Sequence, residues 1–165
     1  MSTNLTKSQA YAIDEYNGVL HDTINGYLEG KVVLDNDKDR YILEIIREID
    51  SIFESEQNRM HWQYSLELYV GVEDIIDNLP EYVGHKPAYT KATFDSSLAA
   101  EYARSPTSFI LRLNLNTDAV DVIQLDTYDV SEVLINRDVV FNVISIYPVG
   151  HKYNPTDRIL VDCVV

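Results

Sequence analysis

The chain has 165 residues and a net charge of −14, with 45% hydrophobic and 24% charged side chains, an ordinary composition for one domain with its own core. That acidity is repelled by nucleic-acid phosphates and anionic membranes, and no apolar run is long enough to cross a bilayer. The one cysteine, Cys163, excludes an internal disulfide, and with no secretory leader pattern at Met1–Asn4 the expected compartment is a reducing cytoplasm.

The first third reads as helix. Ile13, Tyr16, Leu20, Ile24 and Tyr27 recur at spacings of three and four over residues 9–28, and Thr6 with Gln9 has the spacing of a capping box. Asn17-Gly18 splits this stretch into two short helices, because glycine is unfavourable in a helix interior. Over residues 37–56, Ile42, Ile45, Ile46, Ile49 and Phe53 make an apolar stripe with charges opposite, the pattern of a helix packed on a core.

After Trp62 the period changes to two. Leu66, Leu68 and Val70 alternate with Glu67 and Tyr69 in a half-buried strand that ends at Gly71, and residues 79–87 read as a loop. A short strand is predicted over 89–94, then a helix over 96–104 capped by Asp95 and stopped by Ser105-Pro106. Strands follow over 109–115, 120–125, 133–135, 139–147 and 159–165. Helices first (about 8–56) and strands afterwards (about 64–165) indicate a single α+β domain over 1–165 rather than βαβ units.

Common catalytic motifs are missing: there is no Gly-rich phosphate loop, nucleophile elbow or paired-Cys spacing. The histidines, His21, His61, His85 and His151, lack ligand spacing, so no metal is expected. The acidity is concentrated: residues 1–82 hold 17 acidic and 6 basic side chains, residues 83–165 hold 10 and 7. Spread over helix faces, it serves solubility. It also suits a surface that mates with a basic protein, around Glu44, Glu48 and Asp50, or one that mimics a nucleic acid.

The order of segments carries a resemblance. Ala12–Gly18 and Ile24–Leu28 look like the opening helices of the mono-ADP-ribosyltransferase exoenzyme family, and Ile49–Phe53 like its helix before the first core strand. Leu68-Tyr69-Val70-Gly71-Val72 is similar to that strand, Tyr89–Thr93 to the family's second motif and Val130-Ser131-Glu132-Val133-Leu134 to its third. The resemblance implies N-terminal helices followed by a split pair of mostly antiparallel sheets around a cleft that takes NAD. It is closest to small single-domain transferases of large bacteriophages, which implies action in the cytoplasm of a bacterial host.

In the family's Arg-Ser-Glu branch the first strand supplies an arginine, the second motif a serine, and the third an acidic or amide residue two before the catalytic glutamate. The matching positions here are Val70, Lys91 and Val130, while the glutamate position is kept as Glu132. Gly71, Lys91 and Thr93 are the remaining candidates for cofactor binding and Glu132 the one catalytic candidate, with an exposed strand-edge glutamate as its other reading. The replacements imply weak or lost transfer, no bound cofactor, and a role as a binding protein that antagonises a host defence factor. The alternative is an active mono-ADP-ribosyltransferase that uses NAD on a host protein, with Lys91, Arg104 or Arg112 as anchor; an acidic nucleic-acid mimic is a further alternative.

Overall fold

The computed structural model of the protein describes residues 4–116, 120–125 and 131–165. The chain begins with α1 (Lys7–Asn17), α2 (His21–Leu28) and α3 (Asn36–Glu54). The expected capping box is formed: Gln9 N donates to Thr6 Oγ1 at 3.2 Å and Thr6 N to Gln9 Oε1 at 3.0 Å. Gly18 ends α1, and a Cβ there would lie 3.2 Å from the Asp14 carbonyl oxygen, tighter than an ordinary contact. On α3 the stripe of Ile42, Ile45, Ile46, Ile49, Ile52 and Phe53 is buried. At about 1.5–3 kcal/mol for each large apolar side chain, this stripe holds the helical layer to the sheet.

The remaining elements are β1 (Leu66–Val72), β2 (Gly84–Lys86), β3 (Thr90–Thr93), α4 (Ser96–Tyr102), β4 (Phe109–Leu115), β5 (Val122–Gln124), β6 (Glu132–Ile135), β7 (Val139–Tyr147) and β8 (Ile159–Val164). They form the order β2-β7-β8-β4-β1-β3-β6-β5, in which β4 and β8 are parallel and every other pair is antiparallel. β1 and β3 meet through one registered pair, Tyr69 and Thr93. On either side of that junction the sheet divides into a five-strand arm and a three-strand arm, the split that the resemblance implied.

Apolar side chains of both arms, among them Leu68, Leu111, Val133, Ile135 and Phe141, fill the space between them. The opposite face of the small arm, with Tyr89, Ile123 and Leu134, packs on the helical layer. The opposite face of the large arm, with Tyr69, Ile110 and Leu160, packs under α4 through Ala99 and Ala103. Asp95 caps α4 by accepting from Ser97 N at 2.8 Å, as expected. Gly71 fixes how closely α4 approaches: a Cβ there would lie 1.9 Å from the Ala99 carbonyl oxygen.

One segment departs from the sequence expectation. Residues 79–87 are not a plain loop, since a 3-10 helix runs over Ile76–Glu81 and β2 follows. Asp74 builds the helix by accepting from Ile75 N, Asn78 and Tyr82, and these hydrogen bonds hold its carboxyl below the usual carboxylate range. β2 spans only Gly84–Lys86 and exists through its pairing with β7, which no local period could signal.

Candidate functional site

A cleft of about 640 Å³ opens beside the β1–β3 junction. Val70 and Gly71 of β1, Lys91, Ala92 and Thr93 of β3, and Glu132 of β6 all line it, so the three sequence-predicted segments converge. α2 contributes His21 and Asn25, α4 contributes Tyr102, and β2 contributes Lys86. Strand alternation explains the placement: Tyr69 and Gly71 face α4, whereas Val70 turns toward the space between the arms.

Glu132 is 8% exposed, which overturns the reading of it as an exposed strand-edge glutamate. Antiparallel pairing of β3 with β6 sets Glu132 opposite Thr93 and carries its carboxylate into the wall. Oε1 accepts from the Tyr102 hydroxyl at 2.9 Å, and Oε2 stands 4.0 Å from Lys91 Nζ. Thr93 is committed to local structure: its Oγ1 accepts from Asp95 N at 3.0 Å and lies 3.0 Å from Ser131 Oγ. Gly71 has a packing task under Ala99. Val130 lies outside the described residues.

The two arginines considered as anchors are elsewhere. Arg112 forms a two-pronged pair with Asp162, Nη2 to Oδ2 at 2.8 Å, on the α4 side of the sheet, and it does not line the cleft. That pairing raises the Arg112 pKa above its ordinary value. Arg104 follows α4, also off the cleft wall, and its carbonyl accepts from Arg158. Asp50 is no free surface charge either. Its carboxylate accepts from Tyr89 at 2.6 Å and from Arg137 at 3.1 and 2.7 Å, so the acidic face of α3 is narrower than the sequence suggests.

Three cleft residues escaped sequence reasoning. Tyr102 reaches Glu132 across 30 positions in sequence. Asn25 donates to the Tyr16 hydroxyl at 3.1 Å and to the Tyr89 carbonyl at 3.4 Å, tying α2 to the start of β3. Lys86 is half-buried, and its side chain makes no hydrogen bond or ion pair among the described residues. Burial holds its pKa below the ordinary lysine range, with the charge of Glu29 opposing that shift. The signal that could have marked it is its position before Pro87, at the end of a segment with a positive-φ glycine, Gly84 (φ 79°).

The profile of the ADP-ribosyltransferase exoenzyme family matches residues 1–165. The chain belongs to that family. The fold agrees with solved members at low identity. An ADP-ribosyltransferase from Clostridium botulinum superposes with a TM-score of 0.68 at 15% identity, over 99% of this chain and 88% of that one. Exoenzyme S from Pseudomonas aeruginosa, solved with human 14-3-3 protein beta and carba-NAD, gives 0.66 at 14% identity, over 97% of this chain and 74% of that one. The enzymatic component of the Clostridium botulinum C2 toxin gives 0.67 at 18% identity over 97% of this chain, which spans 44% of that longer protein. A sequence comparison with curated proteins finds no match.

The family's substrate is NAD, and the cleft is large enough for a ligand of that class. On the β1 wall Val70 offers no side-chain donor, where a forked guanidinium would give several. Among the described residues no group of three or more His, Cys, Asp or Glu side chains could hold a metal ion. Among them no helix is long and apolar enough to cross a membrane.

Proposed function

We propose that this chain is an ADP-ribosyltransferase-fold binding protein whose transferase site has lost NAD turnover, and that it acts by contact with a host protein. The observation that carries the reading is the ammonium of Lys91, 4.0 Å from the Glu132 carboxylate. A carboxylate accelerates a reaction in which positive charge develops only if its own charge is available to that centre. A neighbouring cation opposes the same charge, and every 1.4 kcal/mol of lost stabilisation is about tenfold in rate. With Val70 in place of a donor on β1, binding and chemistry weaken together.

A protein partner agrees with the acidic first half, whose 17 acidic side chains against 6 basic ones steer it toward basic surfaces. Exoenzyme S, a relative in fold, is seen in complex with a protein. The resemblance to phage-borne members supports a bacterial cytoplasm as the place of action and a defence factor as the host target.

A second reading has its own observation in favour. The cleft is open, and Glu132 is buried in its wall with Tyr102 orienting it, an arrangement fit for an active mono-ADP-ribosyltransferase. Labelled NAD incubated with bacterial lysate separates the two. The binding-protein reading expects no label that depends on Glu132. Transfer by the wild type that disappears in Glu132→Ala would establish the enzyme instead.

A further inference from the structure

The large arm ends in a strand that is only partly paired. β2 covers β7 at Val139–Phe141, and among the described residues no strand lies against β7 beyond Phe141 on the side away from β8. The free part, residues 142–147, therefore carries backbone donors and acceptors that a further strand can take up. Its side chains are largely apolar and open to water: Ile144 is 58% exposed and Ile146 50%, with Val143 beside them. Val143 pairs with Cys163 and Ile146 with Val161, and both partners belong to the core between the arms. These two side chains thus point to the core face of the sheet at a place where it is left uncovered. Proteins blunt open edges with charges, prolines or bulges. β7 has a register shift between Val143 and Ser145, but neither a charge nor a proline stands between Val139 and Tyr147.

The charge pattern says what fits there. The chain holds 27 acidic side chains, yet residues 139–156 contain none and carry one lysine, Lys152. A basic partner is steered to the acidic first half and finds no carboxylate on this edge. Two copies of a chain with net charge −14 repel each other as wholes, and this stretch lets them touch without setting acids face to face. The geometry suits the same occupant, since β2 shows that this side of β7 accepts an antiparallel neighbour. A twofold axis near Ser145 sets residues 143–147 of one copy antiparallel to the same residues of the other. Every contact is then made twice, and no free edge remains at the junction.

We propose that two copies of this chain pair through their β7 edges, forming a twofold dimer with one continuous sheet. The inference goes beyond the reading of the cleft and holds with or without NAD turnover. Sedimentation velocity of the full chain over a range of concentrations, at low and high salt, tests it. The variants are Ile146→Lys and, as a control of equal charge, Val33→Lys, at a side chain 95% exposed outside the strand. The wild type is expected to pass from monomer to dimer as concentration rises, and more readily at high salt, which screens the repulsion between the two net charges. Ile146→Lys is expected to weaken the dimer about tenfold or more, because it sets two ammonium groups against each other, while Val33→Lys stays within about threefold of the wild type. Hydrogen exchange at both ends of the concentration range needs no variant: amides within residues 143–147 that face away from β8 are expected to gain protection in the dimer. If circular dichroism shows that Ile146→Lys does not fold, that exchange pattern decides. A wild type that stays monomeric, a dimer that folded Ile146→Lys leaves intact, association without protection of residues 143–147, or growth beyond the dimer each overturns the proposal.

Discussion

On two sides of β3 the protein handles partly buried charge in opposite ways. Toward the helical layer, Asp50, Tyr89 and Arg137 close on one another with contacts of 2.6–3.1 Å, and each charge meets its opposite in a forked geometry. Toward the cleft, Lys91 and Glu132 stand 4.0 Å apart, and Lys86 forms no ion pair among the described residues. The first arrangement is what a structural ion pair looks like: directional hydrogen bonds offset the loss of hydration. The second leaves charge imperfectly matched in a space large enough for a ligand, which is the mark of a site rather than of a support.

The contrast can be broken at several points. The largest effect is expected behind the cleft wall, at Gly71→Ala, where the new methyl would meet the Ala99 carbonyl at 1.9 Å. Shifting α4 to relieve it costs about 3 kcal/mol, read as a lowered urea midpoint, and it displaces Tyr102 from Glu132. An unchanged midpoint would mean that α4 does not lie against β1 as described.

Next comes Arg137→Ala, which strands Asp50 against Tyr89. Arg137 keeps 34% of its side chain exposed, so the loss is discounted to about 2 kcal/mol. The matching change on the cleft side, Lys91→Ala, is expected to cost under about 1 kcal/mol. Equal losses at the two positions would erase the distinction between support and site.

A gain is expected from Val70→Arg. Its side chain lines the cleft, so a guanidinium there should tighten NAD binding by about 1.5–3 kcal/mol, at least tenfold in Kd by titration. Unchanged affinity would show that β1 no longer faces the bound diphosphate.

The smallest effect is alkaline. Burial pushes the Cys163 thiol up to about 11 from an ordinary value of 9.0, and burial followed by the Glu67 hydrogen bond pushes Tyr69 up to about 12 from 10.0. Raised folded-state values mean that the unfolded chain loses these protons first. Their contribution is therefore whole below pH 9 and declines as pH climbs through about 11 to 12. Denaturation midpoints measured from pH 8 to 11 should fall, and Cys163→Ala should flatten the part of that fall that begins near pH 9.

Much of this was legible in the chain. Thr6 with Gln9, Asn17-Gly18, the isoleucine stripe of α3 and Asp95 before α4 are local signals, because capping and amphipathic periodicity act over a few residues. The convergence of Val70, Lys91 and Glu132 came from the order of motifs, and the strand pairing brings them to one cleft. Less local features were hidden. β2 depends on β7 more than fifty positions later, and the neutralisation of Asp50 depends on Arg137 across 87 positions. Arg112 carried a charge that suited an anchor, but its partner Asp162 lies on the face turned away from the cleft.

The sequence by itself therefore determined most of the elements, though not β2 or the 3-10 helix before it, together with the family resemblance and the identity of the residues at the three motif positions, since each is written in short-range pattern or order. Only the tertiary structure decided that Glu132 is buried rather than exposed, that Tyr102 orients it, and that the Lys86 side chain enters the cleft without a partner among the described residues. The physical reason is that burial and charge pairing are set by which strands lie side by side, and a chain read locally has no term for its distant neighbours.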